Sequence, residues 1–297
     1  MVPRRSGQGE LSERLRAWYR PRRRAFPWRR TRDPYAILVS EVMLQQTQAA
    51  RVAPSFERFL ATFPTLGSLA AASRGDVVRA WNGLGYNRRA VALSEAAREI
   101  SRDHGGRVPS DLGRLRTLPG VGPYTAAAVA SLAFGAPVPA LDTNVRRVVA
   151  RVRSGVDTDD LSRTETLELA EAWLDRDDPG AWNQALMDLG REVCRPRPRC
   201  DACPLAGGCR FLAAGASPGG SRSRQGRFEG SPRQVRGAIV RVLRDRSPVT
   251  IGGLITRTGF EPERVRNAVR DLHREGLILA GTSALAGRAV GRVRLPG

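Results

Sequence analysis

The amino-acid pattern from Leu11 to about Leu212 has the period of amphipathic α-helices almost throughout and shows no convincing alternation of the kind that marks β-strands. Turn signals such as Phe63-Pro64 and Gly105-Gly106 separate the helical stretches. A stretch of this length without strands must build its core by packing helix against helix. The sequence therefore predicts an all-α domain over 11–212, with helices at 11–20, 34–47, 52–62, 67–80, 87–103, 123–134, 143–152, 162–175 and 180–193.

The ends of the chain differ from this pattern. Residues 1–10 are predicted to be a disordered tail, and residues 213–231, rich in Gly, Ser and Arg, to be a linker. Residues 232–297 read as a separate unit of three helices followed by two short strands, which is the outline of a winged helix. Its third helix carries Arg264, Arg266 and Arg270. These arginines fit a DNA groove or, equally, the solvated face of an interaction module.

The chain is strongly basic, with a formal net charge of +20 and a pI near 11.5, which indicates a polyanionic partner such as nucleic acid rather than a membrane surface. All 49 basic residues are arginine, so no lysine amine is available to form a Schiff base. The longest apolar run, Ala126–Leu141, is interrupted by glycine and proline, and Met1–Arg5 lacks the apolar core of a signal peptide. We therefore expect a cytoplasmic, nucleoid-associated bacterial protein without a membrane span.

The segment Leu118–Tyr124 has the composition of a tight turn at a helix start. Gly120 and Gly122 flank one apolar residue, and the following segment is rich in good helix formers. Backbone N–H groups at such a helix N-terminus can bind an anion, here a phosphate. Gly-Val-Gly alone is most often an ordinary turn. The isolated carboxylate of Asp142, which follows at the start of an arginine-rich helix, favours a nucleic-acid site.

Two acids have the context of a catalytic pair. Glu41 lies on an apolar helix, where burial would raise its pKa and make it a proton donor near neutrality. Asp142 lies where a helix N-terminus favours the anion, so the two pKa values are predicted to move in opposite directions. Cleavage of a glycosidic bond needs one acid for the leaving group and one carboxylate for the sugar cation. Taken singly, Glu41 also fits a helix charge and Asp142 a helix cap.

Four cysteines lie within sixteen residues, at Cys194, Cys200, Cys203 and Cys209. This clustering indicates a metal site, because an intracellular chain is not expected to hold a disulfide framework. The spacing C-x5-C-x2-C-x5-C suits a four-thiolate [4Fe-4S] cluster better than the paired short knuckles of zinc sites, with zinc as the alternative. The three arginines of Arg195–Arg199 lie inside the first gap and can contact phosphates.

Several motifs occur in the order found in the helix-hairpin-helix glycosylase superfamily, and the chain resembles its MutY-type adenine DNA glycosylases over roughly residues 12–212. The motifs are Ser40–Gln48, Gly83–Tyr86, Leu118–Tyr124, Leu141–Val145 and Trp182–Gly190 before the cysteines. The resemblance implies a two-lobed all-α fold with the active site between the lobes. It also implies a monomer that binds duplex DNA and removes adenine mispaired with guanine or 8-oxoguanine.

The resemblance also implies roles for individual residues. Glu41 would protonate adenine N7 and handle the water, Asp142 would stabilise the sugar cation, and Tyr124 and Asn144 would line the reaction centre. Gln46 and Tyr86 would wedge into the duplex. The residues expected around the flipped adenine are Arg24, Trp28, Leu44 and Gln184. The endonuclease III branch has a lysine at the place of Tyr124, so a glycosylase without strong strand-nicking activity is implied.

The chain departs from the family pattern at three places. The first cysteine gap has five residues where six are usual, and Asn87 stands where a second tyrosine is common. A short winged-helix-like unit replaces the larger β-rich domain that reads 8-oxoguanine. A glycosylase of the same fold acting on thymine or uracil opposite guanine therefore remains an alternative, as does a noncatalytic DNA-binding regulator. Retention of both Glu41 and Asp142 argues against the regulator.

Overall fold

A computed structural model of the protein describes residues 6–217 and 227–297. Helices make up most of both ranges, which confirms the all-α prediction. In the first part of the chain they are α1 Ser6–Tyr19, α2 Pro34–Leu44, α3 Ala49–Thr62, α4 Leu66–Ala71, α5 Arg74–Ala80 and α6 Arg88–Asp103. The helices α7 Leu112–Thr117, α8 Pro123–Phe134, α9 Thr143–Val149, α10 Arg163–Trp173, α11 Pro179–Glu192 and α12 Arg210–Ala213 follow. No helix in these ranges is long and apolar enough to cross a bilayer.

The C-terminal segment has the element order of a winged helix. Its helices are α13 Pro232–Asp245, α14 Ile251–Thr258, α15 Pro262–Arg274 and α16 Thr282–Leu285, and its strands are β1 Val249–Thr250, β2 Leu279–Ala280 and β3 Arg292–Arg294. The strands form an antiparallel sheet in the order β1-β3-β2, with Val249 opposite Val293 and Leu279 opposite Arg294.

The described chain forms two compact units. The first comprises the residues up to Glu41 together with those from Pro109 to the undescribed gap, and the second comprises Val42–Val108 and the C-terminal segment. The core of the first unit is built by α1, α9, α10 and α11. Trp173 and Trp182 meet there edge to face, with ring centroids 5.9 Å apart. This core supports the loop that carries the four cysteines.

In the second unit, the C-terminal segment shares a hydrophobic core with the helices of residues 42–108. Val78 of α5 and Val91 of α6 are buried among side chains of α13, α14, α15 and β3. The carbonyl of Pro296 lies so close to Gly75 that a Cβ on this glycine would be 2.2 Å from the oxygen. This packing differs from the prediction of a separate unit on a linker. Residues 218–226 of the predicted linker 213–231 lie outside the described residues.

The predicted disordered tail is wrong for residues 6–10, which form the first turns of α1. Leu11 and Leu15 are buried in the first core, and Arg14 pairs with Glu10 at 2.6 Å, so the helix extends towards the N-terminus. Residues 1–5 lie outside the described residues. The predicted helix 67–80 is two helices, because Ser73 caps a new one by accepting a hydrogen bond from the N–H of Asp76.

Candidate active site and metal centre

Glu41 is held inside the first unit by α2 and is only 3% exposed. Oε2 of its carboxylate is buried and has no hydrogen-bond partner among the described residues. The Tyr124 hydroxyl, which donates to Sδ of Met187 at 3.8 Å, lies close enough to the carboxylate to favour its charged form. Burial raises the pKa of Glu41 to about 7, and the negative charge of Asp142 adds to the rise. The Tyr124 hydroxyl and the charge of Arg29 oppose it. Glu41 is therefore about half protonated near pH 7, and its pKa is shifted in the direction expected from its apolar sequence context.

Tyr124 reaches Glu41 from the first turn of α8. The preceding turn bends at Gly120, whose φ of 75° is in the left-handed region, and Gly122 caps the helix with Pro123 as its first residue. Burial raises the pKa of Tyr124 well above its usual range, and the charges of Glu41 and Asp142 raise it further. Tyr124 thus stays a protonated donor. It lies where its hydroxyl can hold one Glu41 oxygen in place.

Asp142 caps the N-terminus of α9. Oδ1 accepts a hydrogen bond from the N–H of Val145 at 2.6 Å, and Oδ2 accepts one from Nδ2 of Asn144 at 2.9 Å. Burial nevertheless raises the pKa of Asp142, against these hydrogen bonds and the charge of Arg147. The prediction that the two acids shift in opposite directions is therefore wrong for the free protein, because loss of water outweighs the helix cap.

Arg147 connects Asp142 to the cysteine loop, a link that motif reasoning did not find. Its Nη2 donates to Oδ1 of Asn144 at 2.9 Å and to the carbonyl of Gly190 at 2.7 Å, while Nε donates to the carbonyl of Cys194 at 2.6 Å. The helices α9 and α11 are close enough here that a Cβ on Gly190 would lie 2.7 Å from the Cβ of Asn144. The orientation of Asn144, and through it of Asp142, depends on the first cysteine.

A buried arginine, Arg29, lies near enough to Glu41 to affect its pKa. Arg29 and Asp188 form a bidentate pair at 2.7 and 3.0 Å, with side chains 8% and 5% exposed. Asp188 also accepts from Arg191 at 2.8 Å. This ion pair was not predicted from the sequence. Asp188 lies within the Trp182–Gly190 motif, which is the sequence signal that could have indicated the pair.

The residues expected around the flipped base are only partly brought together. Gln184 accepts a hydrogen bond from the Tyr19 hydroxyl at 2.7 Å, and Trp28 is buried with its ring stacked on Phe26 at 4.9 Å. Arg24 pairs with Glu192 at the end of α11, at 3.1 Å. These residues share the first unit with Glu41. Leu44, half-buried at the end of α2, belongs to the second unit together with Gln46 and Tyr86.

Gln46 and Tyr86, the expected wedge residues, are exposed. Their φ angles are 54° and 46°, and within the described ranges they are the two residues other than glycine that have a positive φ. One side chain, Arg89 of α6, ties both turns together. Burial lowers its pKa to about 10, and its guanidinium lies 5.4 Å from the Trp81 ring and 5.5 Å from the Tyr86 ring. Its acceptors are the carbonyls of Val42, Met43, Gln45, Leu84 and Gly85 and the hydroxyl of Thr47.

The four cysteines surround a cavity of about 390 Å³, including space open to solvent, at the end of α11. In residues 6–217 and 227–297 there is no set of three or more Cys, His, Asp or Glu side chains placed to hold a single ion. Four cysteine thiols that line one cavity are a donor set that suits a four-thiolate iron–sulfur cluster.

Arg151 fixes the first cysteine loop. It is 2% exposed, pairs with Asp157 at 2.9 Å, and donates to the carbonyls of Arg195 at 2.7 Å and Pro196 at 3.1 Å. Its Nη1 lies 3.9 Å from Sγ of Cys194. Arg151 comes from a π-helical turn over Ala150–Ser154 at the end of α9. Within the first gap of five residues, Arg151 thus satisfies the carbonyls of Arg195 and Pro196.

Comparison with known proteins agrees with this geometry. Residues 39–174 match the model of the HhH-GPD superfamily of base excision DNA repair proteins. The adenine DNA glycosylase of Mycolicibacterium smegmatis is 43% identical over 280 residues, which cover 92% of this chain and 95% of that protein. A thermostable thymine-DNA glycosylase structure aligns with a TM-score of 0.66 at 32% identity, over 70% of this chain and 98% of that one.

A non-covalent endonuclease III–DNA complex aligns with a TM-score of 0.61 at 26% identity, over 72% of this chain and 98% of that one. The same fold therefore binds DNA in a solved relative. Identity over nearly the full length, the superfamily match and the Glu41–Tyr124–Asp142 arrangement together place this chain in the family of adenine DNA glycosylases.

Proposed function

We propose that the protein removes adenine mispaired with 8-oxoguanine or guanine from duplex DNA by hydrolysis of the N-glycosidic bond. The observation that carries this proposal is the burial of Glu41 beside Tyr124 and Asp142, which raises the pKa of Glu41 to about 7. The names of the relatives support adenine as the target base.

In the proposed reaction, the Glu41 carboxylic acid donates its proton to N7 of the flipped adenine. The bond between C1′ and N9 breaks, its electron pair stays with adenine, and a cationic sugar remains. Asp142 stabilises this cation as the carboxylate, since the positive charge that develops beside it lowers its pKa and reverses the effect of burial. Glu41, now a carboxylate, takes a proton from the water that attacks C1′.

The test is base release under single-turnover conditions from duplexes with A:8-oxoG, A:G, T:G and U:G pairs. We expect release from the two adenine pairs only, and a fall of about 10²–10⁴-fold in rate for Glu41→Gln and for Asp142→Asn, with mismatch binding largely retained. Normal release by both variants would contradict the assignment of the two acids.

A thymine- or uracil-directed activity is the second candidate, because a thymine-DNA glycosylase is among the structural relatives. A pyrimidine has no N7 for Glu41 to protonate, so this candidate assigns no role to the raised pKa of Glu41. Release from T:G or U:G without release from A:8-oxoG would establish it in place of the adenine proposal.

We propose that Cys194, Cys200, Cys203 and Cys209 hold a [4Fe-4S] cluster. When bound, the cluster would fix the cysteine loop and, through the Cys194 carbonyl and Arg147, the orientation of Asn144. Protein purified under mild conditions should be brown and contain about four iron and four sulfide per chain. A colourless protein with one zinc per chain would contradict the cluster. Cys200→Ser should lower both solubility and DNA affinity.

We further propose that the protein acts as a monomer in the cytoplasm at the bacterial nucleoid. Light scattering during size-exclusion chromatography should give the mass of one chain, 32.3 kDa. A fluorescent fusion should co-localise with the nucleoid in living cells. A dimer mass, or a fusion excluded from the nucleoid, would contradict the respective statement.

A further inference from the structure

The arginines of α15 were predicted to fit a DNA groove or a solvated face, but in the structure they donate hydrogen bonds within the second unit. Each donates to a backbone carbonyl: Arg264 to Gly230 at 2.7 Å, Arg266 to Gly287 at 3.1 Å and Arg270 to Leu285 at 3.4 Å. The Arg264 guanidinium also lies 5.6 Å from the centre of the Phe260 ring. To read bases, these side chains would have to give up bonds that hold the fold together. The helix α15 is therefore a poor DNA-binding surface.

A different set of arginines is free to contact a partner. Arg288, Arg292 and Arg294, here called the wing ridge, are exposed, and none of them makes a side-chain hydrogen bond or ion pair with the described residues. Arg292 and Arg294 flank the buried Val293 in β3, so both project from the outer face of the sheet. Val290, between Arg288 and Arg292, is 76% exposed.

The backbone beneath the wing ridge is held in one conformation. The N–H groups of Gly252 and Ile251 each donate at 2.9 Å to the carbonyls of Ala289 and Gly291, and the N–H of Arg288 donates to Ser283 at 2.9 Å. Gly291 packs against α16, where a Cβ would lie 2.2 Å from the N atom of Ala284. The backbone that carries the ridge is therefore preorganised, and an interaction with the ridge costs little backbone ordering.

The charge of the ridge is not neutralised within its own segment. Residues 232–297 contain 13 arginines against five carboxylate side chains. Three of the carboxylates pair with arginines outside the ridge: Glu263 with Arg266, Asp271 with Arg274 and Glu275 with Arg236. Uncompensated guanidinium groups on an ordered backbone are complementary to phosphates.

We propose that the wing ridge binds the phosphate backbone of duplex DNA and extends the contact that the glycosylase domain makes. This inference rests on DNA binding by the fold and not on which base is removed. Contacts to phosphates add affinity without sequence preference, so the ridge would hold matched and mismatched duplexes equally.

The test compares two triple variants of the full chain, each in a Glu41→Gln background so that binding is measured without base release. The first is Arg288→Gln/Arg292→Gln/Arg294→Gln. The matched control, Arg246→Gln/Arg257→Gln/Arg274→Gln, removes the same charge from exposed arginines elsewhere in residues 232–297. Fluorescence anisotropy gives Kd for a matched and a mismatched duplex over a series of salt concentrations, and thermal unfolding checks the fold of each variant.

For the ridge variant, we expect the slope of log Kd against log salt to become shallower by about 3, equally for both duplexes, because about one phosphate contact is lost per arginine. The control should keep the slope of the parent. An unchanged slope in the ridge variant, or an equal loss in the control, would overturn the proposal. Since the readout is binding alone, it is decided separately from the base-release assay of the adenine activity.

Discussion

A carboxylic acid that is buried with one oxygen unpartnered, as Glu41 is, stabilises the folded protein only while it is protonated. Its pKa is about 7 in the folded protein and near its ordinary value of 4.5 in the unfolded chain. The folded state therefore binds this proton more tightly, and the stability it confers is complete below pH 4.5 and lost as pH rises through about 7. Activity that needs the Glu41 proton falls over the same upper range.

Glu41→Gln removes this titration while keeping the shape of the side chain. Between pH 5 and pH 8 the wild type should lose about 2.5 kcal/mol of unfolding free energy relative to the variant, from the pKa difference. Urea unfolding of both proteins across this pH range measures the difference in unfolding free energy. The other titrating groups are the same in both proteins, so their contributions cancel. Stability curves that run parallel would show that Glu41 does not carry the raised pKa.

The absence of lysine from the chain leads to a prediction about strand cleavage. A lyase captures the opened sugar as an imine on an amine, and Tyr124 has none to offer. We expect an intact strand with an abasic site that breaks only in hot alkali, and little covalent complex after borohydride reduction. Strong trapping by protein with a blocked N-terminal amine would refute the prediction.

At the scale of elements, Arg89 holds the end of α2 and the turn before α6 in the geometry that presents Gln46 and Tyr86. Arg89→Ala should cost about 2–4 kcal/mol of unfolding free energy, because several carbonyls lose a charged donor. Arg89→Lys, with fewer donors, should fall in between. As a control, Arg79→Ala removes only a surface pair with Asp76 and should cost less than about 1 kcal/mol. Equal losses for Arg89→Ala and Arg79→Ala in urea unfolding would contradict this role.

Elements whose ends are set by local signals were predictable from the sequence. The helix α8 starts at Pro123, directly after Gly122, and has the predicted bounds, Pro123–Phe134. Ends set by distant contacts were not predictable. The helix α2 ends at Leu44, three residues before its predicted end, because Arg89 donates hydrogen bonds to the carbonyls of Val42 and Met43 there.

The same distinction applies to the candidate site. The pattern around Glu41 indicated its raised pKa, because its apolar neighbours are adjacent in the chain. The pKa of Asp142 depends on burial by side chains far away in sequence, which local context does not reveal, and its shift was predicted with the wrong sign. The partners of the α15 arginines are likewise tertiary, so the helical pattern alone suggested a free basic face.

For the whole molecule, the packing of the C-terminal segment on α5 can be tested with two glycines. Gly75→Ala places a Cβ 2.2 Å from the Pro296 carbonyl, whereas a Cβ on Gly67 meets only Oγ1 of Thr65, at 3.9 Å. Alanine normally favours a helix over glycine by about 1 kcal/mol, so Gly67→Ala should raise the melting temperature. Gly75→Ala should lower it. A rise in both would show that the C-terminal segment does not pack against α5.

The shared core of the second unit also bears on synthesis at the ribosome. Val78 and Val91 are translated about 200 residues before Val293 and Leu295, which pack in the same core. At elongation rates of about 5–20 residues per second, this apolar face stays uncovered for about 10–40 s. The segments that form the core of the first unit, by contrast, are all translated before the linker. Nascent chains stalled in the linker should therefore recruit chaperones to α5 and α6, and full-length chains should release them.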